Sequence, residues 1–243
     1  MATIFKAIKR LGWSEGLKTY SRLKINKGNF KLSELDYPLT LRPNTSDTGT
    51  FRQIFFRGEY DIDPGFDPEY IIDGGANIGL FAVLFASRYR NAKIYSIEPD
   101  MNNFSLLLEN TQQYKNVTCI QSGIWDKETY LKIVDQGWGE WGYMVEEVPE
   151  QTAGAIKAVS LNGIMHQYEL PRLDIVKLDV EGAEMNIFGD DYSEWLSKTR
   201  LLIIELHDRM KPGSSDPFWK AIRKLDFRRF DRGENLCFIN NTF

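Results

Sequence analysis

The chain has 243 residues, of which 42% are hydrophobic and 26% are charged, and its formal net charge at pH 7 is −4. This composition excludes disordered and collagen-like proteins, and the mildly acidic balance provides no general basic field for binding nucleic acid. The two cysteines, Cys119 and Cys237, show no metal-ligand spacing and argue against a secreted disulfide scaffold. No apolar run is long enough to span a bilayer, and no signal peptide is apparent. We therefore expect a globular, cytoplasmic protein.

The N-terminal segment differs in charge from the rest of the chain. Residues 1–31 contain eight basic residues and one acid, so this segment carries +7 and the remainder carries −11. Ile4, Ile8 and Leu11 recur at helical spacing, with basic residues off that face. We predict a basic helical extension over residues 1–45. It packs on the acidic body of the same chain in one interpretation, and contacts an anionic membrane or a partner in the other.

The next elements lead into one domain, which we place at residues 46–243. A short extended segment at 38–43 precedes this domain, and a helix at 47–57 begins it. From residue 70 the pattern repeats as strand, turn and helix, with apolar strands at 70–73, 93–98, 117–121, 174–180 and 201–205 and helices at 78–89, 102–114, 184–188 and 218–225. Near-continuous apolar strands between helices are typical of a parallel sheet covered on both faces. The pattern predicts a doubly wound α/β fold with an N-terminal helical extension.

Two regions depart from this alternation. Segments 227–231 and 235–239, separated by three residues, predict an antiparallel hairpin that completes the sheet. Residues 127–159 interrupt the pattern with three further strands, at 130–134, 143–148 and 157–159, around a turn rich in Gly and Trp at 137–142. That turn is either a mobile lid over a ligand or a small hydrophobic cluster.

A glycine-rich turn, DGGANIG at 73–79, lies between the first strand of the sheet and its helix. Glycines allow a tight turn and close approach to a ligand, and the helix start presents unpaired N–H groups. Glu98 ends the next strand, nineteen residues after Gly79, where a carboxylate can accept two hydrogen bonds from ribose hydroxyls. The turn and the acid together predict a cofactor that contains a nucleoside. Gly74, Ala76 and Gly79 also fit a dinucleotide pattern loosely, so spacing alone leaves the cofactor open.

Acidic residues and a histidine follow the fourth and fifth strands. Asp179 and Glu181 lie at the end of one strand, and Glu205 and His207 at the end of the other. Side chains two apart on a strand share a face, so each pair can point into one crevice. Such groups can orient a substrate and accept a proton from it. Alternatively, the glutamates cap helices or form ion pairs. Three converging carboxylates could also hold a divalent cation, but no ligand spacing demands one, and we assign no metal ligands.

Four segments together resemble a known family. IIDGGANIG, SIEPD, DIVKLDVEGAE and LLIIELH are similar to the FkbM family of S-adenosylmethionine-dependent methyltransferases. The resemblance covers about residues 47–225. It implies a seven-stranded sheet with a reversed last strand, and methyl transfer to an oxygen of a sugar, polyketide or other small metabolite.

The resemblance also implies roles for individual residues. It implies that four residues of the glycine turn line the methionine part of the cofactor: Asp73, Gly75, Asn77 and Gly79. It implies that Glu98 holds the ribose, with Pro99 fixing the chain beyond it. It implies that the adenine lies beside Ser122, Gly123 and Ile124, with Asp126 nearby. The bulky Trp125 departs from the small residue that is usual before that last acid.

Two alternatives remain from the sequence. An NAD(P)-dependent oxidoreductase would use the same glycine turn, and a non-catalytic module would keep the fold and the cofactor. The acceptor is not identified by any motif. Trp138, Trp141 and Tyr143 would suit stacking on a sugar face, or packing within a loop.

Overall fold

The computed structural model describes residues 2–25, 28–135, 143–180, 182–208 and 212–243. Its helices are α1 (Ala2–Leu11), α2 (Trp13–Lys24), α3 (Asp47–Phe51), α4 (Leu80–Arg88), α5 (Met101–Thr111), α6 (Leu161–Gln167), α7 (Glu184–Ile187), α8 (Ser193–Ser197) and α9 (Asp216–Ile222), and a π-helical segment, Arg52–Arg57, continues α3. Its strands are β1 (Asn29–Phe30), β2 (Leu39–Thr40), β3 (Tyr70–Gly74), β4 (Lys93–Glu98), β5 (Val117–Gln121), β6 (Gly123–Ile124), β7 (Thr129–Asp135), β8 (Tyr143–Glu147), β9 (Ile156–Val159), β10 (Leu173–Leu178), β11 (Thr199–Ile204), β12 (Phe227–Arg232) and β13 (Asn235–Asn240).

Seven strands form the central sheet, in the order β12-β13-β11-β10-β3-β4-β5. Neighbouring strands from β11 to β5 run parallel, and β13 runs antiparallel to both of its neighbours. This arrangement confirms the predicted α/β fold with a mostly parallel sheet. The chain leaves the central strand β3 toward one edge and later returns to β10 on its other side. A crevice therefore opens beyond the carboxyl ends of β3 and β10, where ligands bind in such sheets.

Hydrophobic clusters cover both faces of the sheet. Ile71 of β3 belongs to one cluster and Ile72 to the other, because successive side chains of a strand point to opposite faces. The first cluster includes residues of α4, the π-helical segment and the N-terminal region, and the second includes residues of α6 to α9. The two layers fix the ends of the central strands, and with them the crevice.

Several element limits differ from the predicted ones. β10 ends at Leu178, where its partner β3 ends at Gly74 in the same register. Asp179 therefore lies in a loop and not on the strand. The helices α6 and α8, of seven and five residues, were not predicted, since they are too short to show a clear helical period.

A second sheet of four strands, in the order β6-β9-β7-β8, contains the three additional strands predicted within residues 127–159. β7 runs antiparallel to β8 and β9, and β6 runs parallel to β9. Residues 136–142, with Trp138 and Trp141, lie outside the described residues. Both interpretations of that turn stay predictions.

The basic N-terminal helices contact the rest of the chain. Arg10 of α1 forms an ion pair with Glu34 at 2.9 Å, and Leu23 of α2 is buried in the first hydrophobic cluster. The exposed side of α2 carries Trp13 and Leu17. Contact with a membrane or partner, and the domain limits 1–45 and 46–243, stay predictions. Among the described helices, none has both the length and the apolar character of a membrane span.

Candidate functional site

The glycine turn between β3 and α4 adopts a backbone conformation that few residues allow. The φ angles of Gly75, Asn77 and Gly79 are all positive, at +69°, 50° and +84°. A Cβ atom on Gly75 would lie 1.8 Å from the carbonyl oxygen of Asp179. The turn and the loop after β10 are therefore in direct backbone contact, which only glycine permits at this position.

One cavity, here called the Glu98 cavity, lies on the β4 side of this turn. It encloses about 710 Å³, part of it open to solvent, and is lined by Gly75, Asn77, Ile97, Glu98, Pro99, Asp100, Asn103, Ser122, Gly123, Ile124, Ile133, Val145, Asp179 and Val180. Seven of the ten predicted cofactor residues are in this wall. Ile133 and Val145 were not predicted, because they belong to the second sheet and carry no local motif.

Glu98 is held in one orientation by backbone donors. Its side chain is 5% exposed, and Oε2 accepts a hydrogen bond from the N–H of Asn77 at 2.7 Å. Oε1 accepts one from the N–H of Asp100 at 3.0 Å. Burial raises the pKa of Glu98 to about 7, although these bonds oppose the shift. Oε1 also accepts a longer hydrogen bond from the side-chain amide of Asn103 at 3.4 Å, so the lone pair that stays available for a ligand hydroxyl is on Oε2.

The other three predicted cofactor residues do not line this cavity. Asp73 is fully buried beneath the turn, with its Oδ1 atom 3.4 Å from the Nζ atom of Lys177. Gly79 begins α4 and contacts Leu107. Asp126 is only partly exposed and lies beyond the buried Trp125.

Lys177 joins β10 to the glycine turn. Its ammonium group donates to the carbonyl oxygens of Gly74 at 3.1 Å and Gly75 at 2.7 Å. Burial lowers the pKa of Lys177, but the nearby Asp73 and Asp179 outweigh burial, and the pKa is raised overall. The sequence gives one indication that Lys177 holds the glycine turn against β10, since it is a single lysine within an apolar central strand.

A second cavity, here called the Tyr60 cavity, lies on the other side of the turn. It encloses about 750 Å³, part of it open to solvent, and is lined by Thr50, Gln53, Ile54, Glu59, Tyr60, Gly75, Ala76, Asn77, Ile78, Leu80, Phe81, Lys177, Asp179, Glu205 and Glu234. Gly75, Asn77 and Asp179 line both cavities, so the two cavities meet at the glycine turn. The π-helical segment forms part of its wall, and π-helical insertions are frequent at functional sites.

His207 lies behind two carboxylates of the Tyr60 cavity. Its Nε2 atom is 3.5 Å from Oδ1 of Asp179 and 3.8 Å from Oε1 of Glu205. Its Nδ1 atom is 2.6 Å from Oε1 of Glu184, a fully buried residue that was not predicted because it reads as a helix start. Three of the four predicted catalytic residues thus come together. The fourth, Glu181, lies outside the described residues.

The environment of Glu205 changes its acidity. Burial and, to a smaller extent, the nearby Asp179 raise the pKa of this carboxyl, His207 opposes the shift, and the resulting pKa is about 7. A carboxylate with a pKa near neutrality is suited to accept a proton during a reaction at ordinary pH.

Comparisons with known proteins agree with this fold. A model of the methyltransferase FkbM domain matches residues 73–229. Methyltransferase 1 of Beauveria bassiana is 27% identical over 59% of this chain and 67% of its own length, and the hexuronic acid methyltransferase AglP of Haloferax volcanii is 24% identical over 64% and 65%. The solved structure of methyltransferase FkbM from Methylobacillus flagellatus has a TM-score of 0.50 at 16% identity, and the match covers 98% of this chain.

The matched part spans about two thirds of the length of these relatives and 58% of the solved chain. The solved structure supports the fold, and the domain match covers more than half of the chain. The chain therefore belongs to the FkbM methyltransferase family, and as a methyltransferase of this class it takes its methyl group from S-adenosylmethionine.

Proposed function

We propose that the protein methylates a hydroxyl oxygen of a small hydroxylated acceptor, such as a sugar, a polyketide or another specialised metabolite. The observation that carries this proposal is the meeting of two cavities at Gly75, Asn77 and Asp179. One cavity suits a nucleoside, and the other places carboxylates where an acceptor would enter. The relative AglP is by its name a methyltransferase of hexuronic acid, which supports a sugar ring in the acceptor but not a particular charge on that ring.

The Glu98 cavity fits S-adenosylmethionine. Its fixed carboxylate suits the ribose hydroxyls, and the apolar side chains of Ile124, Ile133 and Val145 suit an adenine ring. We assign Glu98, followed by Pro99, to the ribose, and Ser122, Gly123 and Ile124 to the adenine. We assign Gly75 and Asn77 to the methionine part, while Asp73 and Gly79 act by shaping the turn.

The bound cofactor supplies a methyl group that its sulfonium centre already activates. The chain then has two tasks, to hold the acceptor oxygen in line and to take its proton. We propose that Asp179 orients the acceptor and that Glu205 accepts the proton on a carboxylate oxygen. His207, held by Glu184, lies behind both carboxylates and balances their charge. Glu181 remains a further candidate for this group.

Mass spectrometry of hydroxylated compounds incubated with the protein and deuterium-labelled S-adenosylmethionine tests the proposal. We expect a product with one labelled methyl group on oxygen, and no product from the Glu205→Gln variant. Cofactor binding by calorimetry separates the alternatives. Binding without transfer to any acceptor would favour the non-catalytic module, and binding of NADPH in place of S-adenosylmethionine would favour the oxidoreductase.

A further inference from the structure

The wall of the Tyr60 cavity carries an excess of negative charge. Its described residues include four carboxylates, those of Glu59, Asp179, Glu205 and Glu234, and a single ammonium group, that of Lys177. Lys177 is also shared with Asp73, which lies beneath the turn. The ammonium group therefore compensates only part of this charge, and the imidazole of His207 lies beside Asp179 and Glu205, at 3.5 and 3.8 Å, but not beside Glu59 or Glu234 among the described contacts.

Glu59 and Glu234 both line the cavity, and they lie close enough for the charge of Glu234 to act on Glu59. The turn between β12 and β13 packs on Glu59, because a Cβ atom on Gly233 would lie 2.6 Å from its Cγ atom. Arg57 contacts Oε1 of Glu59 at 3.3 Å, and the amide of Gln53 donates to Glu234 at 3.1 Å. The guanidinium group of Arg57 lies beside Glu59, whereas the described partner of Glu234 is an uncharged amide, so the two carboxylates are only partly compensated.

Tyr60 indicates that the cavity takes a polar ligand. Its side chain is 7% exposed and its ring packs edge-on against Phe81. The side chain lines the cavity and forms no hydrogen bond with another described residue, so its hydroxyl group is available to a ligand. Burial raises the pKa of this hydroxyl, and the carboxylates of Asp179 and Asp73 raise it further. The hydroxyl therefore stays protonated and faces the cavity as an open donor and acceptor.

The cofactor does not remove this excess. S-adenosylmethionine carries two positive groups and one carboxylate, so its net charge of one unit offsets one of the carboxylates. An acceptor with its own carboxylate would meet like charges in a partly buried site, which is unfavourable. An acceptor with an ammonium group would instead form ion pairs with the carboxylates of the wall.

We propose that the acceptor is an amine-bearing polyol, such as an amino sugar, whose ammonium group binds between Glu59 and Glu234. This inference rests on the proposed function and specifies its substrate class. The hydroxyl to be methylated then lies at the other end of the cavity, against Asp179 and Glu205. Tyr60 binds a second hydroxyl of the ring.

The test uses matched sets of hydroxylated compounds, each with an amine, a neutral and a carboxylate member. Methyl glycosides of glucosamine, glucose and glucuronic acid form one set, and aminocyclitols with their neutral and acidic analogues form another. Transfer is measured with labelled S-adenosylmethionine, and binding by calorimetry in the presence of S-adenosylhomocysteine. We expect kcat/KM for the amine members to exceed that for the neutral members at least tenfold, and no turnover of the carboxylate members.

Two variants test whether Glu59 and Glu234 cause the preference for amine-bearing acceptors. Glu59→Gln and Glu234→Gln should each reduce the ratio of amine to neutral kcat/KM at least fivefold. Glu234 is exposed, so its variant remains informative if loss of the buried Glu59 charge disturbs folding. Glu109→Gln, at an exposed position on α5, is the matched control and should leave the ratio unchanged.

The outcomes separate this inference from the proposed function. Equal or better turnover of neutral or carboxylate members, or no response from any amine member, overturns the inference alone. No binding of S-adenosylmethionine overturns the proposed function.

Asp179, Glu205 and His207 also place possible ligand atoms within 4.8 Å of one another, so the assay is repeated with EDTA and with Mn²⁺. Tight Mn²⁺ binding that abolishes the amine preference would assign the negative charge to a metal, and overturn the inference.

Discussion

The Nδ1 atom of His207 lies 2.6 Å from a carboxylate oxygen of Glu184, which is fully buried. An ionised carboxylate can only accept a hydrogen bond, so Nδ1 is the donor. The other ring nitrogen then faces Asp179 and Glu205. A second histidine pair, His166 with Glu194, has a separation of 3.4 Å and is exposed, so it provides an internal comparison.

Glu184→Gln should lower kcat at least tenfold, because the imidazole loses the charge that orients it and supports its positive form. The affinity for S-adenosylmethionine should change less than twofold, since Glu184 does not line the Glu98 cavity. Single-turnover kinetics and calorimetry measure the two effects. Glu194→Gln is the control and should leave both unchanged. An equal loss of kcat in the two variants would contradict the assigned role.

Lys177→Met should destabilise the fold by about 3–5 kcal/mol, because it leaves the buried carboxylate of Asp73 without its partner. Replacing both residues, in Asp73→Asn with Lys177→Met, should recover most of this loss, since no unpaired charge remains. Urea unfolding of the two variants and the parent measures the difference. If the double variant is no more stable than the single one, the ion pair is not the reason for the loss.

Gly75→Ala should abolish cofactor binding, because the new Cβ atom would lie 1.8 Å from the carbonyl oxygen of Asp179 and force the turn away from β10. Gly65→Ala is the matched control. Gly65 has a similar φ of +77°, but no atom lies within 4 Å of a Cβ placed there. The control should lose only about 1 kcal/mol of stability from backbone strain and keep its affinity. Calorimetry and thermal unfolding compare the two, and equal affinities would refute the steric argument.

The local parts of the site could be predicted from the sequence. The glycine turn and Glu98 belong to one strand–turn–helix–strand unit, and Asp179, Glu205 and His207 follow apolar strands. Parallel strands end at the same edge of a sheet, so their loops meet without further information.

The wall of the Tyr60 cavity could not be predicted in this way. Glu59 precedes β3 and Glu234 lies in the last hairpin, 175 positions later in the sequence. They meet because β13 inserts between β11 and β12 and turns the hairpin toward the π-helical segment. Glu184 was missed for a related reason, since a glutamate at a helix start is ordinary and only its burial against His207 distinguishes it.

The affinity for S-adenosylmethionine should depend on pH through Glu98, whose pKa is raised by burial to about 7. The ionised carboxylate accepts hydroxyl hydrogen bonds more strongly than the neutral acid, so affinity should rise with pH through about 7 and level off above it. Because the pKa in the folded state is higher than in the unfolded state, this group also makes the free fold less stable as pH rises from about 4.5 to 7. Calorimetry from pH 5.5 to 8.5 measures the binding profile. Glu98→Gln should bind weakly with little pH dependence, and a pH profile like that of the parent would assign the titration to another group.

The exposed side of α2 should bind anionic membranes. Trp13 is 74% exposed and Leu17 lies one turn further on the same face, with Lys18 and Lys24 beside them. Aromatic and aliphatic side chains among lysines are typical of helices that bind at a lipid interface. We expect the chain to sediment with vesicles containing phosphatidylserine, less so at high salt, and not with neutral vesicles. Trp13→Ser should reduce binding severalfold, whereas Leu108→Ser, at an exposed position on α5, should leave it unchanged. Equal sedimentation with neutral and anionic vesicles, or none with either, would contradict binding to anionic membranes. The charge of the +7 segment would then be explained by intramolecular ion pairs such as that of Arg10 with Glu34.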